Sequence, residues 1–287
     1  MFIKETLHTR FMGSLDNYSQ TDIVIVGVPM DFTCSFRPGT RFGPQKIREV
    51  SIGIEEYSIS MNKSLNDKKY YDAGDLDLPF GNVDRSLDMI GNVCKQILKD
   101  DKFPIFIGGE HLISLPIIKE VYNKYGDDLV ILHFDAHADL RENYIGECNS
   151  HASVIRRITE FLNGKNIFQF GIRSGTKEEF NFAKNNTNMY LFDVLDPLKE
   201  VVSQIGRRPV YVTLDIDVID PAFANGTGTP EPGGCTSKEI LQAILTISKL
   251  NLIGFDLVEV SPMYDQSDRT ALLAAKIIRE VILACKK

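Results

Sequence analysis

The chain has 287 residues, 43% of them hydrophobic and 25% charged, and carries a formal net charge of −7. This composition excludes a disordered, collagen-like or low-complexity protein, and an acidic balance without a Lys/Arg cluster argues against a nucleic-acid partner. No apolar run approaches the roughly 20 residues of a membrane span, the start MFIKETLHTR lacks a signal-peptide core, and five scattered cysteines (Cys34, Cys94, Cys148, Cys235, Cys285) without a C-x-x-C pair fit a reducing cytoplasm.

Residues 1–20 read as irregular, with His8 a surface residue lacking any ligand partner nearby. Asp22–Val28 is a short buried strand that opens into the Pro/Gly-containing loop Pro29–Gly43, after which Pro44 suits the first turn of a helix through Ile47–Val50. Arg37 and Arg41 lie on that loop, where they either meet solvent or face a site or a neighbouring subunit. Tyr70–Asp75 reads as an exposed edge strand, and Val83–Leu98 has the apolar spacing of a helix. Phe103–Gly109 is a buried strand ending in Gly-Gly-Glu110-His111, followed by a helix over Leu112–Tyr122. Leu129–Leu132 is a strand that runs into Asp135, His137 and Asp139, and a helix starts from Ser150. Then come strands at Asn166–Gly171 and Met189–Phe192, a helix at Thr176–Lys184 and a helical turn after Pro197. The strand Pro209–Leu214 empties into Asp215-Ile216-Asp217. A Gly/Pro-rich loop, Ala224–Gly234, precedes a helix capped by Thr236 or Ser237 with Glu239 as capping-box partner. The strand Leu252–Val258 ends at Glu259, and Ser267–Leu283 is a closing helix. Strands alternate with helices throughout, which points to a single α/β domain over 1–287 with a mostly parallel central sheet between two helical layers.

Four of these strands end in polar groups that a core could not hold unpaired. In open parallel sheets the carboxyl ends of the strands are where ligands bind, so residues distant in sequence are expected to meet in one crevice. Asp135, His137 and Asp139 alternate along what would be an extended segment, yet Asp135 and Asp139 would then stand ~13 Å apart, too far for one ion. Either the chain curls beyond Asp135 or the residues serve more than one ion. Four aspartates with two histidines would bring about −4 of charge, which two divalent cations would neutralise. Carboxylate and imidazole donors without thiolate suit Mn²⁺ better than structural zinc, and two such ions sharing a water would acidify it. His133, one pleat deeper in the strand, reads as a core histidine or a partner of a ligand. Asp220, beside Pro221, reads as a brace of its loop.

These motifs, GGEH at Gly108–His111, DAHAD at Asp135–Asp139, DIDVIDP at Asp215–Pro221, GTGTPEPGG at Gly226–Gly234 and DLVEVSP at Asp256–Pro262, resemble those of the ureohydrolases, the arginase and agmatinase family, over nearly the whole chain. The resemblance implies an arginase-like three-layer fold and two Mn²⁺ ions per subunit. It assigns His111, Asp135, Asp139 and Asp215 to one ion and Asp135, His137, Asp215 and Asp217 to the other, with a bridging hydroxide that attacks the substrate. It also implies that Glu259 receives the guanidinium group and that His151 shuttles a proton to the leaving amine, a role suited to an imidazole titrating near neutrality. Asp139 would accept a hydrogen bond from the hydroxide.

Three stretches, SFRPGTRFGP at Ser35–Pro44, NSHASVIRRI at Asn149–Ile158 and PMYDQSDRTALLAAK at Pro262–Lys276, look more like agmatinase than arginase. The loop Leu140–Ser150, LRENYIGECNS, lacks the Thr/Ser/Asn-rich pattern with which arginases hold an amino acid, and offers Glu142 and Glu147 instead. The expected activity is therefore hydrolysis of agmatine to putrescine and urea, a step of polyamine formation. The substrate would be a small guanidino cation and the protein a cytoplasmic homo-oligomer, trimer or hexamer, with no nucleic-acid or membrane partner. Another guanidino substrate such as guanidinobutyrate, whose carboxylate Arg141 or Arg37 would meet, is the nearest alternative. A single-zinc deacetylase is disfavoured because its paired His-His is missing, and a non-catalytic metal-binding homologue because the full ligand pattern is present.

Overall fold

The computed structural model describes residues 9–286, so His8 and most of the segment before Arg10 lie outside the described residues. Eight strands form one sheet: β1 (Ile23–Val28), β4 (Tyr70–Asp75), β5 (Phe103–Gly108), β6 (Val130–Phe134), β7 (Ile167–Ile172), β8 (Asn188–Leu191), β9 (Pro209–Asp215) and β10 (Asn251–Val258). A separate two-stranded hairpin, β2 (Tyr57–Ser58) with β3 (Lys63–Ser64), escaped the sequence reading because neither strand is long enough to show a period. The sheet order is β4-β1-β5-β10-β9-β6-β7-β8 and every pairing in it is parallel.

Side chains alternate across the strands and fill two cores. In β1, Ile23 and Ile25 enter one core while Val24, Val26 and Val28 enter the other. The first core takes apolar residues of α1 (Gly43–Ser51), α6 (Leu195–Ile205), α7 (Ser237–Ile247) and α8 (Arg269–Ala284). The second takes those of α2 (Val83–Lys99), α3 (Ser114–Tyr125), α4 (Val154–Ile158) and α5 (Lys177–Asn186). The result is the three-layer α/β/α sandwich. Helix starts follow their sequence signals, since Thr176 and Thr236 each close a capping box, with Glu179 and Glu239 respectively. The turn expected after Pro197 is a full helix, α6; Pro197 falls in its first turn, where a missing N–H removes no helical bond.

β4 is an edge strand as expected, but it is not exposed. Tyr70 and Asp72 are buried because the N-terminal segment covers them: Leu15 pairs with Tyr71, and the Phe11 N–H donates to Asp72 at 2.7 Å. Beneath this cover lies Arg48 of α1, 1% exposed, whose guanidinium donates to both Asp72 oxygens (2.8 and 3.0 Å), to the Gly74 carbonyl at 3.0 Å and to Asp75. Gly27 leaves room for this cluster, since a Cβ there would stand 1.8 Å from an Asp75 oxygen. The bidentate pair locks α1 to the sheet edge. Removing one partner strands the other charge in a dry interior, so Arg48→Met should lower the unfolding free energy by about 3–5 kcal/mol. Urea denaturation measures this, and a midpoint equal to that of the parent would refute it.

Candidate metal centre and cleft

The four strands that end in the predicted polar groups are consecutive in space: β5, β10, β9 and β6 sit side by side in the middle of the sheet. Glu110 and His111, Glu259, Asp215 and Asp217, and Asp135, His137 and Asp139 therefore arrive at one carboxyl edge. Beyond Phe134 the chain leaves the sheet and curls. Asp139 has φ +52° and Glu259 φ +65°, left-handed conformations that non-glycine residues adopt at a cost. The curl is what removes the ~13 Å separation of a straight strand.

His111 lies at the centre. Its Nδ1 stands 2.9 Å from Asp135 Oδ2, 3.2 Å from Asp139 Oδ2 and 3.4 Å from Asp215 Oδ2. On the far side of the ring, Nε2 lies 2.9 Å from the Thr213 hydroxyl, whose own proton goes to Asp256 at 2.6 Å. Thr213 thus accepts from Nε2–H, and Nδ1 is left with a lone pair. That buried atom makes no well-formed hydrogen bond although three carboxylate oxygens surround it. A lone pair facing three carboxylates requires a proton or a cation between them. The donor set therefore fits a metal ion.

A second group adjoins the first. His137 Nδ1 is 2.9 Å from Asp217 Oδ2 and 3.5 Å from Asp135 Oδ1. Asp135 accordingly presents Oδ2 to His111 and Oδ1 to His137. Among the described residues, those with ligand atoms close enough to share an ion form two sets, His111–His133–Asp135–Asp139 and Asp135–His137–Asp217, joined at Asp135. Asp215 reaches the first set through Oδ2, while its Oδ1 accepts the Asp217 N–H at 2.8 Å. Asp135 Oδ1 accepts the His137 N–H in the same way, at 2.6 Å, and Asp217 Oδ1 accepts the Ala136 N–H at 3.0 Å, tying the two runs together. His133 belongs to the neighbourhood as a supporting group: Gln169 donates to its Nδ1 at 3.2 Å, so its Nε2–H donates to Asp135 Oδ2 at 2.8 Å. Both nitrogens are then engaged.

Above these groups opens a cleft of about 260 Å³, lined among others by Ser35, His111, His137, Asp139, Arg141 and Tyr144, and by His151, Glu179, Asp215, Thr229 and Glu259. Glu259 Oε1 accepts the His111 N–H at 2.8 Å, and burial lifts its carboxyl to about 8. His151 sits in the wall. Burial depresses its imidazole to about 4, so it is neutral at pH 7, whereas the sequence reading expected titration near neutrality. Glu142 and Glu147 are exposed and do not line the cleft, so they are solvated loop acids. Arg141 does line it, with its guanidinium 4.7 Å over the Tyr144 ring and its Nε 3.7 Å from Glu179. Arg37 instead packs on Phe36 and Tyr264, Arg41 reaches Asp31 at 2.6 Å, and Asp220 braces its loop by accepting the N–H groups of Ala222, Gly233 and Gly234.

Several residues here were invisible to sequence reasoning. Thr33, Ser35, Gln169, Thr213 and Glu179 are ordinary polar residues whose roles come from cross-chain neighbours. Asp256 carried a signal, a lone acid within an apolar strand. Gly109 is needed for close approach: a Cβ there would stand 1.9 Å from the Met30 carbonyl, so the loop after β1 could not lie against the end of β5.

A parallel α/β sheet with an imidazole–carboxylate cluster at its carboxyl edge is the build of a metal-dependent hydrolase. The chain belongs to the arginase family, whose sequence pattern matches residues 21–284. It is 54% identical over 280 residues to an agmatinase of Bacillus cereus, covering 96% of each chain, and 37% identical to a guanidinobutyrase of Pseudomonas aeruginosa, covering 91% of this chain and 85% of that one. Its fold superposes on the crystal structure of agmatine ureohydrolase of Thermoplasma volcanium with a TM-score of 0.89 at 31% identity, covering 98% of this chain and 95% of that one.

The buried acids make stability depend on pH in protein stripped of divalent ions by chelation. Burial, with the Asp135 charge, lifts Asp139 to about 6; burial lifts Glu110 to about 7, and burial, with Asp217, lifts Asp215 well above 3.8. Burial opposes the charged imidazoles of His111 and His137, yet their carboxylate partners raise the first well above 6.5 and the second to about 12. All these groups bind protons more tightly folded than unfolded, so stability falls as pH rises. Asp135, depressed below 3.8 by its histidines against the pull of burial, acts in the opposite sense only at lower pH. His151, depressed to about 4 by burial, opposes the trend up to about 6.5 as one group against several. The urea midpoint of the stripped protein should therefore fall between about pH 5 and about pH 8. A flat or rising midpoint across that window would count against the protonation pattern.

Proposed function

We propose that the chain hydrolyses agmatine to putrescine and urea at a pair of divalent cations, with Mn²⁺ the ion that a carboxylate-rich, thiolate-free donor set suits best. The observation that carries the reading is the convergence of two joined His/Asp groups with Glu259 at one cleft, in a chain 54% identical to an agmatinase. His111, Asp135, Asp139 and Asp215 would hold one ion, and Asp135, His137, Asp215 and Asp217 the other. Bound there, the cations supply charge to offset the aspartates and a water acidified to hydroxide near neutral pH.

The chain's own side chains handle the substrate and the protons. Glu259 receives the guanidinium, a planar cation whose N–H groups match paired carboxylate oxygens, and the arriving charge offsets the burial that otherwise protonates this carboxyl. Asp139, at the inner end of the cleft, accepts a proton from the attacking water. Addition at the guanidinium carbon gives a tetrahedral species whose C–N bond to the butylamine chain then breaks. The departing nitrogen needs two protons. Asp139 returns the one it took from the water. His151, neutral in its buried position, takes up the one released as the tetrahedral hydroxyl becomes the urea carbonyl, and delivers it to the amine. Urea remains. The reading includes a cytoplasmic homo-oligomer, trimer or hexamer, serving polyamine formation.

Manganese-loaded protein offered agmatine, arginine and guanidinobutyrate should release urea from agmatine about 100-fold or more faster than from the other two. Turnover of guanidinobutyrate or arginine with none of agmatine would reassign the substrate. Asp215→Ala should lose bound metal along with activity by elemental analysis. His151→Ala should keep both ions while kcat falls about 100-fold; wild-type metal content in the first variant, or wild-type kcat in the second, would overturn the assigned role.

A further inference from the structure

The loop Pro29–Gly43 carries no charged group in the cleft, yet two of its hydroxyls bracket His151. Thr33 Oγ1 lies 3.4 Å from Nδ1 and Ser35 Oγ 3.3 Å from Nε2. The same Thr33 oxygen also accepts the His151 backbone N–H at 3.0 Å. The Thr33 hydroxyl proton is committed elsewhere, to Glu110 Oε2, which also accepts the Thr33 N–H at 2.9 Å while Oε1 accepts the Phe32 N–H at 2.9 Å. Glu110 is fully buried at the end of β5, and its own N–H donates to the Met30 carbonyl at 2.7 Å, so the carboxyl and the loop form one rigid unit.

A hydroxyl has one proton and two lone pairs. With Glu110 held as a carboxylate by its three donors and the hydroxyl proton directed to it, the oxygen of Thr33 can only accept from His151, first from the backbone and then from the ring. The ring nitrogen facing it must therefore carry hydrogen. Nε2 is left bare, on the side of Ser35, which lines the cleft where Thr33 does not. Tyr144, stacked edge-on at 5.6 Å, restricts rotation of the ring about this arrangement.

We propose that Thr33, anchored by Glu110, is a positioning residue that fixes His151 as its Nδ1-protonated tautomer and holds Nε2 as the proton-accepting atom toward the cleft. The inference rests on the reading of His151 as the proton carrier for its catalytic meaning, although the tautomer itself does not. Ser35 then serves as a hydroxyl relay: its Oγ gains a proton from the cleft as its own O–H bond breaks and the Nε2–H bond forms, and the reverse transfer empties the ring.

Two experiments separate the tautomer from the catalytic reading. Long-range ¹H–¹⁵N spectra of the full wild-type chain, reconstituted with diamagnetic Mg²⁺ and compared with His151→Gln to assign the ring, should show a protonated Nδ1 and a bare Nε2. An Nε2-protonated ring would overturn the proposal without any variant of Thr33 being needed. On manganese-loaded protein, Thr33→Val should lower kcat by about 10-fold to 100-fold with KM and metal content near wild type, and Thr33→Ser should restore kcat to within about 3-fold. A Thr33→Val enzyme with unchanged kcat, or a Thr33→Ser enzyme as slow as Thr33→Val, would overturn it. Should His151→Ala turn over at the wild-type rate, the role of His151 fails while the spectra still decide what Thr33 does.

Discussion

The concentration of buried carboxylates at the carboxyl edge of four adjacent strands is the constraint around which the rest of this structure is arranged. Asp135, Asp139, Asp215, Asp217 and Glu259 are each at most 5% exposed, and unpaired charge at that depth costs several kcal/mol per group. The protein meets this with three devices. Imidazoles stand between the acids, backbone N–H groups donate to carboxylate oxygens two residues back, and buried hydroxyls such as Thr213 fix ring tautomers so that lone pairs point inward. Without bound ions, protons held on His111, His137, Asp215 and Glu259 offset part of the charge, and a bound cation would take their place. A site whose acids must otherwise borrow protons is built for cations, whether bound ions or a guanidinium.

The fold supplies adjacency that no single stretch of chain contains. β10, late in the sequence, inserts between β5 and β9, and this brings Glu259 to His111 and places Asp215 within reach of both. Rigidity is needed next to strain: Asp139 and Glu259 hold left-handed backbone conformations, and each is pinned by main-chain bonds, Arg156 N–H to the Asp139 carbonyl and Glu259 N–H to the Gly109 carbonyl. Remote stability contributes as well. The Arg48–Asp72 pair fixes α1, which begins where the loop carrying Thr33 and Ser35 ends, so the wall of the cleft is tied to the sheet at both ends.

What could be read from the sequence follows a simple physical division. Strands buried on both faces appear as apolar runs, and ligands that follow them directly, as in Asp135 to Asp139 or Asp215 to Asp217, are local features of one segment. Their placement was legible for that reason. The strand order was not, because it depends on which apolar faces fit together across more than a hundred residues. Nor was the covering of β4, since nothing within Tyr70–Asp75 marks it as hidden and the cover comes from the N-terminal segment and Arg48. Thr33, Gln169 and Thr213 are unremarkable in sequence and acquire their roles from hydrogen bonds to His151, His133 and His111. The neutrality of His151 at pH 7 likewise depends on burial, which its own neighbours in the chain do not reveal.

The outer end of the cleft follows a different logic from the metal end. Glu142 and Glu147 face solvent, so preference for a substrate with a cationic tail cannot come from ion pairs with them. Glu179 lines the cleft, but its oxygens already accept the N–H groups of Leu140 and Thr176, and it lies beside Arg141. Arg141 in turn covers the face of Tyr144. A carboxylate tail would have to draw Arg141 away from both neighbours to gain a partner. On the reading proposed above, selectivity between the two tails would be a difference of costs, set at the Arg141–Tyr144–Glu179 cluster rather than by the acids of the neighbouring loop.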